Sequence, residues 1–134
     1  MSTALVTGGS RGIGRAVCLA LAREGYDVAF CYSKDEEGAR ETLRLLEETG
    51  AGAQPFLCDV TDEAAVKEMF SALLGLVVLV NNAGISRSGL IQDTSFAEWK
   101  NVFSVNTDGA FLCTRQAVPA LLRRGGGCIV NISS

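Results

Sequence analysis

The chain has 134 residues, 48% hydrophobic and 20% charged, with a formal charge of −3. This is enough for one globular domain with its own core, and the balance argues against disorder. The negative charge gives no electrostatic reason to expect nucleic acid as a partner, and the densest apolar run, Ala72 to Val80, is too short to span a membrane. The amino terminus enters a strand directly, with no basic segment ahead of an apolar one, so a cytoplasmic protein is expected. Histidine is absent, which removes Ser-His-Asp and Cys-His catalysis together with the commonest metal ligand; no metal site is expected. Cys18, Cys31, Cys58, Cys113 and Cys128 form no C-x-x-C unit, and each lies in an apolar stretch. All five are expected to be small buried thiols in a reducing compartment.

Ala4-Leu5-Val6 reads as a short buried strand that ends in turn chemistry. A helix follows from about Gly12 to Glu24, with Ile13, Val17, Ala20 and Leu21 at helical spacing. Between them lie Gly8, Gly12 and Gly14. Gly8 suits the tight turn off the strand, Gly12 lets a phosphate approach the backbone, and Gly14 lets the helix pack close to the sheet. The helix N-terminus adds unpaired N–H groups and partial positive charge, which suit a pyrophosphate. The spacing G-x-x-x-G-x-G departs from the usual G-x-G-x-x-G, and the same glycines would serve an ordinary strand–turn–helix connection.

Asp27 to Tyr32 reads as strand two, and 35–49 as a helix with Ala39, Leu43 and Leu46 inward and Gly50 beyond its end. Gln54 to Cys58 is strand three, with Pro55 tolerable near its start. Thr61 or Asp62 caps a helix with Ala65, Val66, Met69 and Phe70 on one face. Leu76 to Val80 is strand four, apolar on both faces as a central parallel strand should be. Ser95 caps a helix bearing Phe96, Trp99 and Phe103. A longer helix, from about Thr107 to Arg123, is expected to kink at Pro119, and Cys128 to Ile132 is strand five. Five strands with helical crossovers predict a doubly wound parallel α/β sheet of the Rossmann type, in order 3-2-1-4-5 and truncated after strand five. Residues 1–134 read as a single dinucleotide-binding domain, incomplete at its carboxyl end. Ligands bind at the carboxyl ends of such strands. Gly8–Gly14, Tyr32–Lys34, Asp59–Val60, Asn81–Gly84 and Ser133–Ser134 thus share one rim.

On these marks the chain resembles the short-chain dehydrogenase/reductase family over its whole length. The marks are Thr7-Gly8-Gly9-Ser10-Arg11-Gly12-Ile13-Gly14, Asp59-Val60, Asn81-Asn82-Ala83-Gly84, Val105-Asn106 and Ile129-Val130-Asn131-Ile132-Ser133-Ser134. Within the family it is similar to the 3-oxoacyl-(acyl-carrier-protein) reductase group. Asn81 to Ser134 is also similar to reductases acting on the 5-aminopentanone group of modified elongation factor P. The resemblance implies a reductase that transfers hydride from NADPH to a carbonyl of a small-molecule or carrier-protein-bound substrate, working as a homo-oligomer. It implies that Thr7, Gly8, Ser10, Arg11, Gly12, Ile13 and Gly14 hold the pyrophosphate side, and that Asp59 holds the adenine amino group beside Val60. It implies too that Asn81 supports the adenosine side, that Gly84 lets the cofactor approach strand four, and that Ala83 between them binds the cofactor. Asn106 and Ser134 are the implied catalytic residues, Asn106 positioning a water in the proton relay and Ser134 bonding the substrate carbonyl. Tyr32 stands where an acid would select a free ribose hydroxyl; with Ser33, Lys34 and Arg11 nearby, a 2′-phosphate, and so NADP, is expected.

Two departures from the family pattern stand out. No tyrosine precedes a lysine by four residues, so the family's general acid is missing from these residues, which are expected to be inactive alone and to form the amino-terminal part of a reductase. A nucleotide-binding module without chemistry, or a partner-binding domain using the face of the helix from Thr107 to Arg123, are the other readings. The approach to strand four, Gly75-Leu76-Val77-Val78-Leu79-Val80-Asn81, also lacks an aspartate and several residues. That shortening is expected to alter local packing and to leave the fold intact.

Overall fold

The computed structural model describes residues 1–133. The alternating apolar runs form a five-stranded sheet in the order β3-β2-β1-β4-β5, with β1 (Thr3–Thr7), β2 (Asp27–Tyr32), β3 (Ala53–Leu57), β4 (Leu76–Asn81) and β5 (Cys128–Asn131). Every pairing is parallel. Parallel neighbours need crossovers, and helices α1 (Gly12–Arg23), α2 (Glu36–Glu48) and α3 (Glu63–Ala72) supply the first three. The fourth is a longer path through α4 (Phe96–Phe103) and α5 (Gly109–Arg123).

Side chains of a strand alternate between faces, so each face of the sheet builds its own core. Ala4, Val6, Val28, Phe30, Val78 and Val80 meet Cys18 and Ala22 of α1 and Ala39 and Leu46 of α2. Leu5, Ala29, Cys31, Leu76 and Leu79 meet Val66 and Met69 of α3 and Cys113, Ala117 and Leu121 of α5. Phe30, Leu5, Leu46 and Leu79 are the largest fully buried side chains, each contributing about 1.5–3 kcal/mol by leaving water. Pro55 lies on the outer strand β3, which among the described residues pairs with β2 alone, and its missing N–H costs no ladder bond there.

Three expectations need correction. The buried face of α1 is Gly14, Cys18 and Ala22, while Ile13 is 62% exposed and Ala20 is exposed too. This helix is apolar nearly all round, so periodicity does not choose a face; the close approach of Gly14 to the glycine turn does. Cys128 is exposed, unlike the other four cysteines, because β5 is an outer strand. The longer helix begins at Gly109, and α4 runs into it through a wider π turn at Ser104–Asp108. Pro119 lies inside α5, which continues past it to Arg123.

The shortened segment before β4 is absorbed locally. Gly75 takes a φ of +73°, and Thr3 fastens the turn, its N–H donating to the Gly75 carbonyl and its Oγ1 to the Leu74 carbonyl, both at 2.8 Å. The β1–β4 register then slips between Thr3 and Ala4, pairing Thr3 with Leu76 but Ala4 with Val78. The fold survives, as expected.

Candidate functional site

The turn after β1 is the most heavily fastened piece of the rim. Gly8 has φ +69° and Gly12 has φ +57°, a region that glycine enters freely. A Cβ on Gly8 would lie 3.0 Å from Ala83 Cα, and one on Gly14 would overlap the Gly8 carbonyl and come within 2.6 Å of Asn82 Nδ2. From the β4 side, Thr7 Oγ1 accepts from the N–H of Asn82 at 3.0 Å and of Ala83 at 2.9 Å. Asn82 Nδ2 donates to the carbonyls of Thr7 and Gly8, both at 3.1 Å. Beside Gly12 there is open space.

The helix N-termini are not alike. Asp35 caps α2, Asp62 caps α3 and Ser95 caps α4 in a full capping box, and each of these helices has an acid in its first turn. For α1 no side chain caps the N-terminus and no acid stands in its first turn. Its orphan N–H groups and positive dipole end are left available to an anion. This is the donor set a pyrophosphate requires, and the open space at Gly12 gives it room.

A cleft of about 920 Å³ opens beside this turn, at the carboxyl ends of β1, β4 and β5. Its walls bring together Thr7, Ile13, Val60, Asn81, Ala83, Gly84 and Asn106, so Ile13 is exposed because it faces the cleft. Asn106 sits in the π turn and grips Ile85 twice, its Oδ1 accepting from the Ile85 N–H and its Nδ2 donating to the Ile85 carbonyl, both at 2.8 Å. A Cβ on Gly84 would come within 3.1 Å of Asn106 Oδ1. Asn81 is buried; its Nδ2 donates to Thr114 Oγ1 at 3.1 Å and Asn131 Oδ1 at 2.9 Å, while its Oδ1 has no protein partner among the described residues. Gly109 admits α5 against Val60, whose Cγ2 would lie 2.5 Å from a Cβ there.

The other predicted residues that the structure describes stand outside the cleft. Asp59 is exposed and accepts from the N–H and hydroxyl of Thr61, at 2.9 and 2.7 Å. Of Thr61 and Asp62, it is Asp62 that caps α3. Tyr32 is half-buried at the end of β2, with Ser33 and Lys34 exposed after it. Arg11 is exposed, its Nε 4.0 Å from Asp35 Oδ2, a contact too open to the solvent to hold it firmly. Ser10 is buried. Ser134 lies outside the described residues.

Three residues that sequence reading missed, Arg15, Gly38 and Thr42, fasten the turn from the α2 side. Arg15 bonds the Ser10 carbonyl at 2.7 Å and Thr42 Oγ1 at 3.0 Å, and Thr42 donates to the Gly9 carbonyl at 2.8 Å. The signal available was a threonine placed four residues before the inward Leu46. The buried thiols are no nucleophiles. Burial pushes Cys18 and Cys113 up to about 12 and Cys58 to about 11, and raises Cys31 furthest of all. No cluster of three or more metal-binding side chains occurs among the described residues, and no described helix is long and apolar enough to cross a membrane.

Strand order, crossovers and a cleft at the strands' carboxyl ends define a Rossmann-type α/β domain. The short chain dehydrogenase family model matches residues 2–134, and the chain belongs to that family. The 3-oxoacyl-(acyl-carrier-protein) reductase FabG of Staphylococcus aureus is 41% identical over 136 residues, covering 98% of this chain and 55% of that protein. An uncharacterized oxidoreductase of Escherichia coli, YgfF, is 46% identical over 142 residues, covering all of this chain and 58% of that protein. Among solved structures, an actinorhodin polyketide ketoreductase variant with NADPH superposes with a TM-score of 0.93 at 37% identity, over 99% of this chain and 53% of that one. The chain thus spans little more than half the length of the relatives it matches.

Proposed function

We propose that these residues form the cofactor-binding part of an NADP(H)-dependent carbonyl reductase acting on a 3-oxoacyl-thioester-like substrate. The observation that carries the reading is the uncapped N-terminus of α1, opening beside a cleft into which the π turn delivers Asn106. The Staphylococcus aureus relative is named a reductase of carrier-bound 3-oxoacyl groups, and the ketoreductase was solved with NADPH. When bound, such a cofactor supplies the hydride. The residues of this chain would bind and orient it: the turn Gly8–Gly14 under the pyrophosphate, Asp59 and Val60 at the adenine, and Ala83 and Gly84 along β4. Asn106, gripped by Ile85, would hold the π turn open at the reacting end, and Ser134 would meet the substrate carbonyl. The exposed Phe111, Val118 and Leu122 of α5 would pack in a homo-oligomer. Because no Tyr-x-x-x-Lys occurs in these residues, they alone would bind cofactor without turnover.

Arg11, exposed at the start of α1, and Lys34, exposed just past β2, are the cations proposed to select a 2′-phosphate. The test is titration of the chain with NADPH and with NADH, followed by nicotinamide fluorescence. NADPH binds the tighter, and Arg11→Ala and Lys34→Ala each narrow the gap by up to about tenfold, as loss of a charged hydrogen bond implies. Equal affinities in the unmutated chain would defeat the NADP assignment, and no binding of either would defeat the cofactor reading itself.

A further inference from the structure

We propose that Arg15 and Thr42 form a positioning strut that aims the backbone N–H groups of the glycine turn at the dinucleotide, tying cofactor affinity to the placement of α2. The proposal rests on the reading of the rim as a dinucleotide site. Neither residue lines the cleft, and neither is a catalytic residue.

Thr42 is fully buried on the inward face of α2, where an unbonded hydroxyl would be costly. It donates to the Gly9 carbonyl at 2.8 Å and accepts from Arg15 Nε at 3.0 Å. Arg15 Nη2 donates in turn to the Ser10 carbonyl at 2.7 Å and the Gly38 carbonyl at 3.0 Å. Two successive carbonyls of the turn and one from the start of α2 are thus gathered by one guanidinium–hydroxyl pair. The approach is close enough to require glycine at 38, where a Cβ would lie 2.6 Å from the Ser10 carbonyl oxygen.

The placement of Arg15 has no ordinary electrostatic reason. It stands in the first turn of α1, where the helix dipole is already positive, and it makes no ion pair among the described residues. Peptide geometry supplies the reason. In a trans peptide the C=O and the following N–H point in opposite directions. Drawing the Gly9 and Ser10 carbonyls toward α2 turns the N–H groups of Ser10 and Arg11 away from it. Among the described residues no carbonyl accepts either N–H at hydrogen-bond geometry, so both are left for an anion, and the Arg15 charge behind them adds to the field.

Thr42→Val keeps the shape and removes the hydroxyl, Thr42→Ser keeps the hydroxyl, and Arg15→Met and Arg15→Lys remove and retain the charge. Each variant of the chain is titrated with NADPH and NADH well below its melting temperature. Thr42→Val and Arg15→Met weaken both dinucleotides by about tenfold and leave their ratio unchanged. Thr42→Ser restores the affinity, and Arg15→Lys restores it only in part, since one ammonium nitrogen cannot occupy the places of both Nε and Nη2. The double variant Thr42→Val/Arg15→Met is little weaker than either single one, because the two act as a unit. Affinities within twofold of the unmutated chain for Thr42→Val, whatever its melting temperature, would overturn the strut while the cofactor reading stands. A loss confined to NADPH in Arg15→Met would overturn it in favour of direct phosphate contact. Failure of the unmutated chain to bind either dinucleotide would remove both proposals.

Discussion

The region from β1 to α2 buries Gly14, Cys18, Phe30, Ala39, Thr42 and Leu46, and its turn is held from two sides by named hydrogen bonds. The region from 85 to 111 leaves Ile85, Leu90, Ile91, Phe96, Trp99, Phe103 and Phe111 exposed. Its few fixed points are the Asn106–Ile85 pair, the Ser95 capping box and the Arg87–Glu98 ion pair. The same chain thus finishes the proposed cofactor side within itself and presents the other side as an unmatched wall. A pyrophosphate site needs only backbone donors from one strand–turn–helix unit, whereas a pocket for an organic substrate needs walls from several segments. A chain covering 55% of a relative's length can complete the first without the second.

The largest expected effect lies in the finished side. Gly14→Ala would drive a methyl group into the Gly8 carbonyl, with an expected loss of more than about 3 kcal/mol, beyond ordinary overpacking because the obstacle is backbone. Gly12→Ala meets nothing within 4 Å and keeps only its φ of +57° as a penalty, about 1–2 kcal/mol. Urea unfolding of the two variants measures the gap. Equal losses would mean that the turn is looser than its contacts imply.

The thiols give a second contrast, through pH. Cys18 and Cys113 are held near 12 and Cys58 near 11, above the ordinary value of 9.0, because burial penalises the thiolate. Well below pH 9 the buried thiols keep their protons in both folded and unfolded chains, so they give stability no pH dependence there. Between pH 9 and about 11 the unfolded chain loses these protons first, and stability falls by up to about 1.4 kcal/mol per pH unit for each buried thiol. Unfolding followed from pH 8 to 10.5 measures it, and at pH 8 a disulfide reagent labels Cys128 alone in the folded chain. Rapid labelling of Cys113 would show that α5 does not stay seated on the sheet.

How much of this was legible in the sequence follows the same division. The strand order and the rim could be read because β1, β2 and β4 are buried on both faces and the turn residues between them are distinctive. The face of α1 could not, because Ile13, Val17, Leu19, Ala20 and Leu21 surround the helix and only the fit of Gly14 against Gly8 selects the buried side. Arg15 was missed because it belongs to no recognisable pattern, and the four-residue spacing of Thr42 from Leu46 says only that it faces inward; the two acquire meaning only when their partners, 33 and 5 residues away, are in place. The π turn leaves no periodic signature either, since Ser104 to Asp108 is short and polar and the helical backbone continues through it.

The smallest effect belongs to the open side. Phe96 is 74% exposed, Trp99 49% and Phe103 48%, so replacing Phe96 by serine changes the unfolding free energy by less than about 0.5 kcal/mol, as at other surface positions. Phe103→Ser costs somewhat more, about 0.5–1.5 kcal/mol, because its ring packs on Trp99 with centroids 4.8 Å apart at a tilt of 42°. Trp99 is the only tryptophan, so its fluorescence reports on this face alone. In the chain by itself the emission lies at long wavelength, as for an indole open to water, and shifts little on dilution. A blue emission that moves red on dilution, together with a sedimentation mass above that of one chain, would show this face covered in solution. The difference between the two regions would then belong to the single chain and not to the particle it forms.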